Sequence, residues 1–577
     1  MARAVLVEGA PRRRGRRRGR RSLWRRRARL LIPLAVVAAA VVVVVLIVRA
    51  GPGRAERALV RSYVRAWITS DYPRMYSLLD PVSRGQVSEA RFAAEYRRDA
   101  TTATLQTLAL MHVGNRQGEY IPVRMRAVTR LFGTLNETLE VPLSGSGSSA
   151  TVLFSDVLLF PGLTGDERLS RRMSLPPRAT LFASDGTPLA QGPDRTSPIP
   201  AVAQEISGVL GPIPADQAST YAVEGYPTKA QVGQDGLELV FQSQLAGTPG
   251  GVLLAGRRVL ARVAPKPGHN VKTTIDPTME TDAIAALGGS YGGIVVMDPR
   301  TGAILAAAGI AYSAPQPPGS TMKIITSTAA LQAGIVKLGT VFPYSTQATL
   351  DGYTLHNASD EDCGGTLLNS FAVSCNSVFA PLGARLGGPR LLAMADRFGF
   401  NQTPVIPGVA ESSIPPASLG SDLEVGSSAI GQGQVLATPL EMADAAATIA
   451  MGGKRPVPTL EANQPPRFVR VTSARVAGEV QQMMIAVVDF GTGTAAQIPG
   501  VTVAGKTGTA ELASTTTSNG QSVANANQLT DAWFVGYAPV GHPRVVGGAL
   551  FPNQGAGGAT AAPAVRDVLV AGLEGSH

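Results

Sequence analysis

Three short stretches of this 577-residue chain hold side chains that together can perform acyl transfer. Ser320-Thr321-Met322-Lys323 offers a hydroxyl nucleophile and an amine three residues on. Ser374-Cys375-Asn376 offers a second hydroxyl and an amide. Lys506-Thr507-Gly508-Thr509 offers an ammonium, two hydroxyls and a glycine. A lysine that loses its proton can take one from a serine hydroxyl and make it a nucleophile. The second hydroxyl can relay a proton and the amide can hold a peptide carbonyl. A cation beside two hydroxyls can grip an anion such as a carboxylate.

These roles require particular placements. Pro317-Pro318-Gly319 ends an extended segment, because proline biases the preceding residue away from helix. Residues 320–333 contain no Gly or Pro, and Gly334 is a stop signal. Met322, Ile324, Ile325, Ala329, Ala330 and Leu331 make that stretch apolar nearly all round, which predicts a buried helix. Ser320 then lies at its N-terminus with Lys323 one turn later on the same face, near free N–H groups and the positive dipole end. Taken alone, the pair reads equally as a serine N-cap with a first-turn lysine. Ser374 and Asn376 fall in the apolar-rich 367–382, and two residues so spaced share a cavity only from a loop or helix end; alone, the triplet reads as a solvated turn. Val501–Ala504 alternates like a strand leading into Lys506, and Asp531–Ala538 and Arg544–Phe551 read as two more. Gly508 within a strand permits close approach of a ligand. An edge strand bearing a charge is the plainer reading.

Joint occurrence in this order is far more specific than any piece, and it is the pattern of serine enzymes acylated by D-alanyl peptides or β-lactams. The chain resembles the class B penicillin-binding proteins, D,D-transpeptidases of peptidoglycan synthesis. The resemblance extends to Thr273–Pro277, to Gly292–Gly302, to Gly431-Gln432-Gly433-Gln434 with Thr438–Ala443, and to Gly557–Pro563. Gly292–Gly302 is physically a hairpin around an Asp-Pro-Arg-Thr-Gly turn. Upstream, Gly236–Leu239 and Gly247–Gly251 resemble the pedestal region. There the usual Arg-Gly-x-Ile-x-Asp-Arg is replaced by Arg178-Ala179-Thr180-Leu181-Phe182-Ala183-Ser184.

The resemblance covers 165–575 and implies Ser320, Lys323, Ser374 and Asn376 as catalytic groups. It implies Lys506, Thr507, Gly508 and Thr509 as the substrate-binding strand, and the backbone N–H groups of Ser320 and Thr509 as the oxyanion hole. Donor and acceptor stem peptides would be substrates and β-lactams covalent inhibitors, with other wall-synthesis proteins as partners. The expected architecture is multidomain α+β. A pedestal or dimerisation domain at 165–272 precedes a β-lactamase-like serine transpeptidase domain at 273–577, an antiparallel sheet flanked by helices. Residues 54–160, helical patterning followed by strand-like pieces at 120–131 and 138–143, resemble the cone-like α+β nuclear-transport-factor domain. Gly145–Ser149 reads as a turn or loop.

The front of the chain indicates location. Residues 1–29 hold 13 arginines and one glutamate, whereas the whole chain has 52 basic and 41 acidic residues. The excess charge therefore belongs to the tail and the remainder is near balance. An arginine-rich arm could bind nucleic acid, but Leu30–Val48 is an apolar run of about 28 Å if helical, the width of a bilayer core. The pair reads as a cytoplasmic tail and a single transmembrane anchor at 30–48 in a bacterial cell membrane, with the catalytic body outside and no nucleic-acid partner. The valine-rich end favours an uncleaved anchor over a signal peptide.

Cys363 and Cys375, twelve residues apart, can close a disulfide in an exported domain; one buried and one loop thiol is the alternative. The five histidines lack ligand spacing, so neither a metal nor another cofactor is expected. Three function classes follow: the anchored transpeptidase, a carboxypeptidase or β-lactamase-type hydrolase, and a non-enzymatic β-lactam sensor or division scaffold. A 29-residue tail supplies no signalling domain, and no polar motif residue is lost, which disfavours the last class.

Overall fold

The computed structural model describes residues 53–511 and 530–575. The apolar run at 30–48 lies outside the described residues. Among them, no helix is long and apolar enough to cross a membrane. The described residues divide into two compact units, one reaching to 172 and including 251–263, the other of 173–250 with the described residues from 264 on.

In the first unit, helices Arg54–Ile68, Tyr72–Ser77, Pro81–Gln86 and Glu89–Ala103 precede a sheet of Leu105–Val113, Tyr120–Thr129, Gly133–Ser144 and Thr151–Val152, antiparallel and in sequence order. Asp71, Asp80 and Ser88 cap the later helices through their side chains. Ile121, Val123, Met125 and Ala127 bury alternate positions of one strand, the period-2 pattern of a one-faced sheet. Tyr63 of the helix Arg54–Ile68 and Tyr96 of the helix Glu89–Ala103, both buried, share a 2.7 Å hydroxyl contact. The Gly-Ser stretch forms a single turn at Gly147–Ser149, and the buried Glu56 accepts from the Gly147 N–H at 3.0 Å.

The pedestal part of the second unit is small and held by an ionic knot. Glu238, 1% exposed, accepts from Arg178 Nε and Arg195 Nε at 2.6 Å each. The departure from the family pattern at 179–184 thus leaves the arginine at 178 engaged.

The catalytic part is built on a five-stranded antiparallel sheet. Its strands are β1 (Gly293–Asp298), β2 (Ala303–Gly309), β3 (Ala504–Glu511), β4 (Thr530–Ala538) and β5 (Val545–Phe551), ordered β2-β1-β5-β4-β3. β1 and β2 are the expected hairpin. Asp276 opens the preceding helix Pro277–Leu287, accepting from the N–H groups of Thr278 and Met279 with Pro at the first helical position. Helices cover both faces at one point. A Cβ on Gly547 would meet Val565 of Ala561–Glu574, and one on Gly548 would meet Pro439 and Ala443 of Pro439–Ala450. The pair of glycines therefore lets both helices seat closely. Helix Lys323–Gln332 is buried from Lys323 through Leu331, as its apolar periphery predicts.

Candidate active site

Ser320 sits in a 3-10 turn, Gly319–Met322, and the α-helix begins at Lys323. The predicted helix therefore starts tighter than an α-helix and does not use the serine side chain as a cap. Gly319 has φ +52°, and a Cβ there would come within 2.8 Å of the Thr509 carbonyl oxygen. Its own carbonyl lies so close to Gly431 that a Cβ at 431 would stand 2.0 Å away, and the Gly319 N–H donates to Gly431 O at 3.0 Å. Across the turn, a Cβ on Gly508 would meet Pro318 O at 2.6 Å and Trp533 Cβ at 2.8 Å. Glycines at 319, 431 and 508 thus let three backbones converge beside Ser320.

The second motif is a break between helices Leu367–Ala372 and Asn376–Leu386. Ser374 adopts φ +66°, a left-handed conformation uncommon for a non-glycine residue. This kink aims the Ser374 carbonyl and hydroxyl at Lys323 and leaves Asn376 at a helix start. Cys363 and Cys375 are joined as a disulfide, with Cα atoms 5.9 Å apart. The bond ties the break to the strand Cys363–Thr366.

The third motif lies on β3, the edge strand, with Lys506 opposite Val535 and Gly508 opposite Trp533. Strand alternation sends Lys506 to the interior. Its Nζ donates to Ser374 Oγ at 2.9 Å and to Thr507 O at 3.1 Å. Lys323 Nζ donates to Ser374 O at 2.8 Å, to Asn376 Oδ1 at 2.8 Å and to Ser374 Oγ at 3.3 Å. Four of the sequence-derived residues, Lys323, Ser374, Asn376 and Lys506, thus form one hydrogen-bonded cluster. Among the described residues, Ser320 Oγ has no hydrogen-bond partner. Thr507 Oγ1 pairs with Thr492 Oγ1, and Thr509 Oγ1 accepts from Gly557 N at 3.4 Å. Neither hydroxyl joins the lysine cluster.

Both lysines are fully buried, and among the described residues neither has a carboxylate partner. Phe379 and Phe371 rings lie 5.4 Å from Lys323 Nζ and Lys506 Nζ respectively, a weak cation–π compensation. Burial pulls the Lys506 amine down to about 7. Burial first, and the neighbouring Lys506 second, hold the Lys323 amine well below the usual lysine range. A depressed amine, three residues along the chain from Ser320 and bonded to the Ser374 hydroxyl, suits proton transfer, and a second cation on the same hydroxyl suits anion binding.

Sequence reasoning missed the supports of this cluster. Asn376 Nδ2 donates to the His356 carbonyl at 2.9 Å. Buried Asn357 receives the Ser377 N–H at 2.8 Å. Thr492 donates its N–H to Ala372 O at 3.1 Å while touching Thr507. No local pattern announces such residues, since their partners lie up to 120 positions away.

Residues 292–570 match the penicillin-binding protein transpeptidase domain, and residues 175–273 the penicillin-binding protein dimerisation domain. The peptidoglycan D,D-transpeptidase PbpA of Mycolicibacterium smegmatis is 33% identical over 374 residues, covering 54% of this chain and 74% of that protein. PbpA of Mycobacterium tuberculosis is 31% identical over 372 residues, covering 53% of this chain and 73% of that protein. Among solved structures, the D,D-transpeptidase domain of a peptidoglycan glycosyltransferase from Eggerthella lenta superposes with TM-score 0.55 at 28% identity, covering 69% of this chain and 98% of its own. Penicillin-binding protein A from M. tuberculosis, as an imipenem acyl-enzyme complex, gives TM-score 0.55 at 26% identity, covering 69% of this chain and 99% of its own.

The chain belongs to the penicillin-binding protein transpeptidase family. It is a class B member, with a dimerisation domain ahead of the transpeptidase domain, and an enzyme of the peptidoglycan D,D-transpeptidase class.

Proposed function

We propose that this protein is a membrane-anchored serine transpeptidase that cross-links peptidoglycan stem peptides through an acyl-enzyme on Ser320 and is acylated there by β-lactams. The observation that carries the reading is the convergence of Lys323 and Lys506 on the Ser374 hydroxyl, 3.3 and 2.9 Å away, beside the turn that holds Ser320.

The donor's terminal carboxylate binds the Lys506 ammonium and the hydroxyls of Thr507 and Thr509. Its charge favours protonation of Lys506. The cation so held disfavours a second charge on Lys323, which stays a neutral base. Ser320 Oγ attacks the penultimate D-alanine carbonyl carbon as Lys323 takes its proton. The carbonyl oxygen becomes an oxyanion held by the backbone N–H groups of Ser320 and Thr509. The C–N bond then breaks, and the departing D-alanine amine takes the proton through Ser374 Oγ. An acceptor amine attacks the ester carbonyl and loses its proton to Lys323; the C–O bond to Ser320 breaks, Lys323 passes the proton to the departing oxygen, and the Ser320 hydroxyl is restored with an amide cross-link formed.

The arginine-rich tail is cytoplasmic, residues 30–48 anchor the chain in the bilayer, and the described units face the wall. The helices-then-sheet order of the first unit supports a nuclear-transport-factor-like assignment for residues 54–160.

Intact-mass analysis after penicillin treatment tests the reading. The full chain gains one penicilloyl mass, and the Ser320→Ala variant gains none. A stable adduct on that variant, or none on the parent, overturns it.

A further inference from the structure

The orientation of Asn376 is set from outside the three motifs, by the loop between Tyr353–His356 and Cys363–Thr366. The Asn376 amide has two ends and two neighbours. Nδ2 donates to the His356 carbonyl oxygen at 2.9 Å, and Oδ1 accepts from Lys323 Nζ at 2.8 Å. A carbonyl oxygen accepts only, so the His356 contact requires the amide nitrogen on that side and turns Oδ1 toward Lys323 Nζ, which carries N–H donors whether or not it is protonated. The residue after His356 is the clamp. Asn357 is 5% exposed and its side chain is saturated. Its Nδ2 lies 2.7 Å from Ser345 O, 2.8 Å from Glu361 O and 3.1 Å from Ser377 Oγ, and its Oδ1 accepts the Ser377 N–H at 2.8 Å. Ser377 adjoins Asn376 in the chain, as His356 adjoins Asn357. One buried amide therefore holds both the backbone that carries Asn376 and the backbone that carries its acceptor.

We infer that Asn357 is a positioning residue for acyl transfer: by clamping Ser377 and the His356 carbonyl together, it orients the Asn376 amide so that its oxygen faces Lys323. The inference rests on the roles proposed for Lys323 and Asn376. Loosening the clamp lets the Asn376 amide turn or withdraw. Lys323 then loses an acceptor that stabilises its protonated form. The amine becomes easier to deprotonate but is less well held, and a displacement of about 1 Å at a reacting group costs up to roughly a hundredfold in rate. Of the charged groups near Lys323, Lys506 faces it from β3. On the clamp loop, the His356 imidazole pairs with Asp360 at 2.8 Å on the exposed side.

The test is the second-order rate of Ser320 acylation by penicillin across pH, in the full chain, for the parent, Asn357→Ala, Ser377→Ala and Asp360→Asn. Melting curves are recorded beside it. In Asn357→Ala the rate falls about ten- to a hundredfold, and the limb rising with pH moves to lower pH. Ser377→Ala, which removes one hydroxyl of the clamp, gives a smaller change of the same kind. Asp360→Asn leaves the limb in place, separating it from titration of the exposed histidine pair. A lower melting temperature with an unchanged rate and limb in the folded fraction makes Asn357 merely structural and overturns the inference. Should Asn357→Ala not fold, Ser377→Ala decides, and a parent-like rate and limb in that variant overturns the inference. Acylation of the parent at Ser320 with no effect in either variant sinks this inference alone; a parent that forms no adduct sinks the functional reading and this one with it.

Discussion

Lys323 and Lys506 lie 183 positions apart in the sequence, yet both ε-amino groups reach one oxygen, Ser374 Oγ. Two ammonium ions on a single part-buried hydroxyl would repel one another, and among the described residues that hydroxyl is the side-chain group hydrogen-bonded to both amines. Ser374→Ala cuts that connection and leaves the Ser374 carbonyl contact to Lys323 intact. Loss of a proton-relaying hydroxyl costs about 10²- to 10⁴-fold. Stopped-flow acylation with a fluorescent penicillin is expected to fall within that range, with Ser320 still the labelled residue. A loss below threefold would remove Ser374 from the proton path.

Lys506 also couples the site to stability. Its amine titrates at about 7 in the fold because it is buried, against 10.5 ordinarily. Between those values the folded protein binds fewer protons than the unfolded chain, so this lysine makes stability rise with pH from about 7 to 10.5. Below about 7 its penalty is fully present, and Lys323, also held below the usual lysine range by burial, adds a contribution of the same sign. Replacement by an apolar side chain of similar length removes the penalty. Lys506→Met is expected to raise the unfolding free energy at pH 6 by about 1–4 kcal/mol, and to flatten its pH dependence between 7 and 10. The same variant should acylate slowly with carboxylate-bearing β-lactams, by roughly thirty- to several-hundredfold, and far less slowly with analogues lacking that group. Equal losses for both classes would mean that Lys506 serves structure or proton transfer instead.

The catalytic part was legible because its chemistry is local in sequence. Ser320 and Lys323 share one turn, Ser374 and Asn376 flank one residue, and the Lys506 stretch lies on one strand. The β1–β2 hairpin was legible for the same reason, its turn being Asp-Pro-Arg-Thr-Gly. Helix limits were less so. The break at Ser374 depends on a left-handed residue that no Gly or Pro announces. The first 3-10 turn depends on backbone approach from Gly431 and Gly508, distant in sequence. In the first unit, the helix Glu89–Ala103 and the strand Leu105–Val113 carry weak sequence signals. Charged residues interrupt the first, and the second alternates poorly, with buried positions only at Leu108 and Val113. The strands Gly250–Ala255 and Arg258–Val263 pair as a hairpin, but the sheet is completed by Leu169–Ser174, beside the first of them and some 80 residues upstream, which no local pattern announces.

The Cys363–Cys375 bond lies directly beside Ser374 and closes a short loop that contains the helix Leu367–Ala372. A loop of that size restricts the unfolded chain by about 3 kcal/mol in the chain-entropy model. Cys363→Ala removes the bond while leaving Cys375, which is fully buried, in place. Urea unfolding should report a loss of about 2–3 kcal/mol, and acylation should slow as the Ser374 kink gains freedom. Unchanged unfolding with slowed acylation would assign the bond to the site alone. Unchanged values for both would leave it without a role in either.

Transpeptidation and hydrolysis share the acylation step, so the decision between them lies in what reaches the acyl-enzyme. A transpeptidase must disfavour water while admitting an amine. In the lysine cluster, neither buried amine has an acidic partner among the described residues, and Ser374 and Asn376 spend their side-chain contacts on the lysines and the His356 carbonyl. Among the described residues, no carboxylate is bonded into that cluster to activate water. The penicilloyl adduct on Ser320 should therefore persist, with release followed by mass spectrometry over hours. A D-alanyl stem peptide supplied with an amino acceptor should give cross-linked product in excess of the hydrolysed tetrapeptide. Rapid turnover of penicillin by the parent protein, or hydrolysis that is indifferent to added amine, would move the assignment to a hydrolase built on the same acylating machinery.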